Sequence, residues 1–162
     1  MSMFEDGHYR WRETYFVVFD VAKRPTVQRV KKSLTALGRH YELKNVRGDE
    51  AGLLESLTVL SPDDFAALDI SYLEGEEVLE QGAQLADDLQ RTAADAAEKL
   101  RVKRIRQCNA RFDVLHFEQL TGEEDESEED EMLDPGTMLI VLEALAKLTG
   151  GIAVDPQSGT MM

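Results

Sequence analysis

The sequence predicts an α+β protein built on an antiparallel sheet. Three observations predict it. Thr14 to Val21 (TYFVVFDV) is apolar on both alternating faces and rich in β-favouring residues. Shorter segments at His40 to Val46, Leu53 to Leu60 and Arg111 to Gln119 have strand composition. Elsewhere, around Val27, Val78 and Leu139, apolar residues recur by three and four, the period of a helix with one buried face.

Taken in order, Thr14 to Val21 is expected to be a central strand covered on both sides. Thr26 is a helix N-cap, Val27, Val30, Leu34 and Leu37 form a buried stripe, and Gly38 ends the helix. Its outward face carries Arg29, Lys31, Lys32 and Thr35 and is therefore basic. His40 to Val46 alternates Tyr41 and Leu43 with Glu42 and Lys44, as a strand with one wet face does. RGDEAG supplies turn chemistry before the returning strand Leu53 to Leu60.

Ser61, Pro62 and Asp64 make a helix-start signal, although the helix must be short, because Leu68, Ile70 and Tyr72 already alternate with Asp69 and Ser71. Those five residues predict a short strand or an extended edge. From Glu76 the period changes: Val78, Gly82, Leu85, Leu89, Ala93, Ala96 and Leu100 predict the longest helix. Acidic Glu76, Glu77 and Glu80 open it and basic Lys99, Arg101, Lys103 and Arg104 close it, opposing the macrodipole. Arg111 to Gln119 is the fourth main strand. Asp134 and Pro135 then start a last helix carrying Leu139, Leu142, Leu145, Ala146 and Leu148, and Gly150 and Gly151 stop it. Ile152 to Val154 predicts a short strand, and Asp155 to Gly159 has turn composition.

This order resembles the ferredoxin-like β-α-β-β-α-β arrangement, an antiparallel sheet with helices on one face, plus a C-terminal helix and short strand. The resemblance is topological, and that fold carries no single activity. A chain of 162 residues holds one core, so residues 1–162 are expected to form a single domain, with 121–134 as an acidic flexible loop inside it. No segment has the apolar length of a membrane helix, and MSMFEDGHYRWRE lacks the regions of a signal peptide. With the lone Cys108, this predicts a cytoplasmic protein without a disulfide.

Charge is strongly segregated. The net charge is −14, yet residues 23–47 carry +7 and residues 99–111 carry +6, which puts fourteen of the eighteen basic residues in two short windows. On a ferredoxin-like frame those windows would merge. Lys23, Arg24, Arg29, Lys32, Lys99, Lys103 and Arg106 are the candidate binding residues, forming a patch that attracts polyanions. The acidic run Glu123 to Glu131 has eight carboxylates in nine positions and either covers this patch in its own chain or engages a basic protein. As a calcium loop it fails: counted from Asp125, Asp130 stands where the tight turn needs glycine.

Catalytic signatures are few. There is no phosphate loop, dinucleotide fingerprint, nucleophile elbow or zinc-hydrolase helix. His8, His40, Cys108 and His116 have no metal-site spacing, and neither metal nor cofactor is expected. Cys108 with His116 is the one nucleophile–base pairing available, with Glu118 on the face of His116 and Asp155 as a further carboxylate. The function expected is a non-enzymatic interaction or regulatory domain with a protein partner. The alternatives are a small enzyme or ligand-binding domain near Cys108 and His116, and a structural, oligomer-forming protein. Nucleic acid is not expected, because the chain is acidic overall and shows neither RNP-like aromatics nor a helix-turn-helix pattern.

Overall fold

A computed structural model describes residues 9–61, 66–119 and 136–161. It is an α+β fold with a seven-stranded sheet in which every ladder is antiparallel. The strands are β1 (Tyr9–Phe19), β2 (Glu42–Gly48), β3 (Leu54–Ser61), β4 (Ala66–Glu74), β5 (Ala110–Gln119), β6 (Ile152–Asp155) and β7 (Thr160–Met161). The helices are α1 (Val27–Thr35), α2 (Glu76–Gln90), α3 (Ala96–Gln107) and α4 (Gly136–Thr149). Sheet order is β2-β3-β4-β5-β1-β6-β7.

Three expectations require correction. A ferredoxin-like sheet would put the first strand between the last main strand and the third. Here β4 occupies that neighbourhood, pairing with β3 on one side and β5 on the other. The segment expected to be a short strand or an extended edge is a strand, nine residues long and interior to the sheet. Its polar positions are compatible with that place because Thr58 donates to Asp69 across the β3–β4 ladder at 3.3 Å.

Helices cover both faces of the sheet, where one was expected. Tyr15, Val17 and Phe19 of β1 share a core with Val30 and Leu34 of α1 and Val141, Leu142 and Leu145 of α4. The alternate residues Phe16 and Val18 pack with Ala86 and Leu89 of α2 and Val102 and Ile105 of α3. In a strand, successive side chains point to opposite faces, so α1 and α4 form one outer layer and α2 and α3 the other.

The expected long helix is a helical hairpin. It breaks after Gln90, and Asp95 restarts it by accepting a hydrogen bond from the Glu98 backbone N–H at 2.8 Å while Glu98 reaches back to the Ala94 N–H at 2.7 Å. This reciprocal arrangement is a variant of the capping box. Leu100, expected in the apolar stripe, is exposed, and Val102 and Ile105 provide the buried face. The helix-start signal at Pro62 and Asp64, the cap at Asp134 and Pro135, and the acidic loop 121–134 lie outside the described residues.

Candidate protein-interaction surface

The structure sorts the basic residues of the two windows into those consumed internally and those left on the surface. Arg24 is consumed. Its Nε and Nη2 donate to the Leu54 carbonyl at 3.2 and 2.9 Å, its Nη1 pairs with Asp49 at 3.2 Å, and the guanidinium stacks 3.9 Å from the Tyr72 ring centroid. Asp49 is itself organised by the β2–β3 turn, accepting from the Ala51 and Leu53 N–H groups at 2.9 Å. Planar, bidentate and stacked geometry of this kind suits a guanidinium and not an ammonium. Arg24→Lys is expected to cost about 1–3 kcal/mol of stability, from the lost charge-assisted bonds and stacking. Urea unfolding checks it; an unchanged midpoint would return Arg24 to the list of free surface cations.

The α3 window is partly consumed as well. Arg106 bridges to Asp87 and Gln90 of α2, and Arg104 donates to the Gly150 carbonyl at the end of α4 at 2.6 Å. Lys99 and Lys103 are exposed on α3. Lys23 joins Arg104 around a cavity of about 240 Å³ lined also by Asp20, Gln107, Cys108 and Gly150. The C-terminal ends of α3 and α4 converge there, and cations at those ends offset their partial negative charge. Because α1 and α3 lie on opposite faces, Arg29 and Lys32 are separated by the sheet from Lys99, Lys103 and Arg106. Lys23 and Arg104 are the members of the two windows that meet at one described cavity.

The α1 cations are different. Thr26 caps the helix, its Oγ1 accepting from the Arg29 N–H at 3.1 Å, and Val30 and Leu34 bury its inner face. Arg29, Lys31 and Lys32 are exposed, the helix contains no acidic residue, and no ion pair to any of the three occurs among the described residues. Beside them a groove of about 410 Å³ runs between α1 and α4, lined by Arg29, Ser33 and Leu37 on one side and by Ile140, Glu143, Ala144, Lys147 and Leu148 on the other. Glu143 and Lys147 pair at 2.9 Å on the exposed ridge of α4. Beyond that ridge lies a second groove of about 550 Å³ that includes Leu139, which is 43% exposed, together with Leu142, Ala146 and Ala153.

The Cys108 and His116 pairing is not assembled. Cys108 caps the end of α3 and packs into the α2–α3 core, whereas His116 points to the opposite face. Eight residues of nearly extended chain put them roughly 25 Å apart along the strand. Cys108 donates to the Arg104 carbonyl at 3.3 Å, and burial pushes its thiol up to about 11 despite the nearby Arg104. Thiol is the less reactive form. Alkylation of the folded chain by iodoacetamide at pH 8 is expected to be about a hundredfold slower than that of the unfolded chain, accelerating as pH rises toward 11. A folded-state rate equal to the unfolded one would restore Cys108 as a candidate nucleophile.

His116 belongs instead to a polar cluster that the sequence did not reveal. It is fully buried, with Nδ1 3.2 Å from Glu13 Oε1, and its Nε2 has no hydrogen-bond partner among the described residues. Burial, and then the Glu13 carboxylate, hold the Tyr15 phenol above its ordinary range; Asp155 adds a smaller push in the same direction. A bulge between Trp11 and Glu13 lets both Arg10 and Arg12 reach the buried Glu118, at 2.8 and 3.5 Å. Ser61 and Thr137 hydroxyls meet at 3.2 Å on the same side of the sheet, fastening β3 to the first turn of α4. No described cavity is lined by His116, and no group of three or more metal-ligating side chains occurs among the described residues. The bonds of this cluster join β1 to β5, and the Ser61–Thr137 contact joins β3 to α4. No helix among the described residues is long and apolar enough to cross a membrane. Compared with known proteins, the chain matches no family model, no curated protein and no solved structure.

Proposed function

We propose that the chain is a non-catalytic interaction domain that engages a protein partner through the cationic face of α1. The observation that carries this reading is the sorting of charge. Arg24, Arg104, Arg106 and Arg111 are occupied by carbonyls, carboxylates or ring faces inside the fold. Arg29, Lys31 and Lys32 stand exposed on a helix without a single acid, in a chain of net charge −14. Cations of one sign kept together against the overall charge create a local attractive field for an acidic partner, which sets orientation and association rate more than raw affinity.

The test is affinity capture from the native cell with the intact chain and with an Arg29→Glu, Lys32→Glu double variant, each at low and high salt. A partner retained by the intact chain, lost on charge reversal and weakened as salt shortens the screening length supports the reading. Identical proteins retained by both forms at all salt concentrations would overturn it.

A further inference from the structure

We infer that the groove between α1 and α4 receives an acidic amphipathic helix of the partner protein, an inference that rests on the interaction-domain reading above. Arg29 and Ser33 are one four-residue step on α1 that Leu37 continues in the turn after it, and Ile140, Ala144 and Leu148 form the facing row on α4. Rows of this spacing are the ridges between which a third helix packs. Leu37, Ile140, Ala144 and Leu148 give the groove an apolar floor, and all four are only half-buried. The α4 row extends eight residues, or roughly 12 Å of helix axis, enough for two turns of a bound helix and its spaced apolar anchors.

Charge selects among occupants. Arg29 stands at the α1 rim, with Lys32, three residues on, as its neighbour on the outward face of the helix, and the α4 rim carries the Glu143–Lys147 pair. A second copy of the chain would bring its own cationic α1 to an isologous contact, setting like charges against each other. A nucleic acid would find cations at the rim, but its phosphates gain nothing from a floor of leucine, isoleucine and alanine, and the net charge of −14 repels it. An added strand needs a free sheet edge, and the groove lies between helices. The larger groove on the far side of α4 shares the Glu143–Lys147 pair but has no α1 cations. A helix with an apolar stripe and an acidic outer face satisfies both the floor and the rim.

The experiment uses the full chain and a labelled synthetic peptide of about five helical turns, with leucine at the spacing of one stripe and glutamate elsewhere, followed by fluorescence anisotropy. Comparators are the same composition scrambled to break the stripe, a version with lysine for glutamate, and a single-stranded oligonucleotide of equal charge. The striped acidic peptide is expected to bind at least about tenfold more tightly than any comparator, as hot-spot anchoring plus charge matching requires. Arg29→Glu with Lys32→Glu, and separately Ala144→Glu on the floor, should each weaken it about tenfold, whereas Leu139→Glu in the far groove should not. Circular dichroism confirms that each variant is folded.

Equal binding of the scrambled peptide, tighter binding of the oligonucleotide, or loss on Leu139→Glu in place of Ala144→Glu would overturn the inference. A cellular partner lost on reversal of Arg29 and Lys32 yet indifferent to Ala144→Glu would remove the groove while leaving the interaction-domain reading standing. Absence of any charge-dependent partner would remove both.

Discussion

Replacing Phe112 with alanine is expected to destabilise the protein by about 3–5 kcal/mol, the cost of emptying a rigid aromatic site in a core. Phe112 is fully buried near the start of β5, between β4 and β1, where register places it against Tyr72 on one side and Val17 on the other. Its ring centroid lies 5.0 Å from that of Phe19 and 6.0 Å from that of Tyr72, and Phe19 and Tyr72 are 6.1 Å apart. Such tilted and edge contacts add to the value of the buried area. The hole cannot close easily, because its lining is carried by three strands whose backbones are fixed by two long ladders. Urea unfolding should show a lower midpoint with an unchanged slope, and Phe112→Leu should recover most of the loss. A cost below about 1 kcal/mol would mean that the aromatic cluster is not the centre of this core.

The consequences reach the proposed surface, since this aromatic triad lies on the sheet face covered by α1 and α4. Tyr72 also supports Arg24, whose bonds to Leu54 and Asp49 tie the start of α1 to the β2–β3 hairpin. The groove is thus seated on packing and not on the exposed cations themselves. Charge reversal at Arg29 or Lys32 should therefore change binding with stability moving by less than about 0.5 kcal/mol, as expected for surface substitutions.

What could be read from the sequence was local, and what could not depended on pairings between distant segments. The basic outer face of α1 follows from period alone, because Lys32 falls opposite Val30 and Leu34 on a helical projection and Arg29 falls on the flank beside it. TYFVVFDV, apolar on both faces, already implied a layer of helices on each side; the one-faced ferredoxin-like arrangement was in tension with that strand. The break between α2 and α3 was legible only in Asp95 and Glu98, while Ala93 and Ala96 carried the apolar period across the gap and masked it. β4 looked like an edge because Asp69 and Ser71 interrupt its apolar residues, and the Thr58 hydroxyl that accommodates Asp69 belongs to another strand. Arg24 sits in the same basic window as Arg29, and nothing nearby in sequence shows that Leu54 and Asp49 consume it. The groove is of the same kind, since it exists only where α4 docks beside α1, more than a hundred residues away.

That docking depends on two adjacent glycines with different reasons for being glycine. Gly150 adopts φ +66, the left-handed position that ends α4, and the Gly151 N–H closes the Schellman turn on the Ala146 carbonyl at 3.0 Å. A methyl group on Gly150 would meet nothing within 4 Å, so Gly150→Ala should cost only the conformational strain of about 1 kcal/mol. A methyl group on Gly151 would collide with the Val18 carbonyl and come within 2.9 Å of both Phe19 Cβ and Thr149 Oγ1. Two of those obstacles are parts of β1, held between β5 and β6, and Thr149 is fixed by its own bond to the Leu145 carbonyl at 2.8 Å. Relief requires moving α4 away from β1, so Gly151→Ala is expected to cost about 3 kcal/mol, at the severe end of overpacking. The same displacement would shift the α4 row against α1. Near-equal thermal midpoints for the two variants would refute this account of the junction. A Gly151→Ala chain that remains folded should bind the striped acidic peptide more weakly than Gly150→Ala, because Ile140, Ala144 and Leu148 then no longer face Arg29, Ser33 and Leu37 in register.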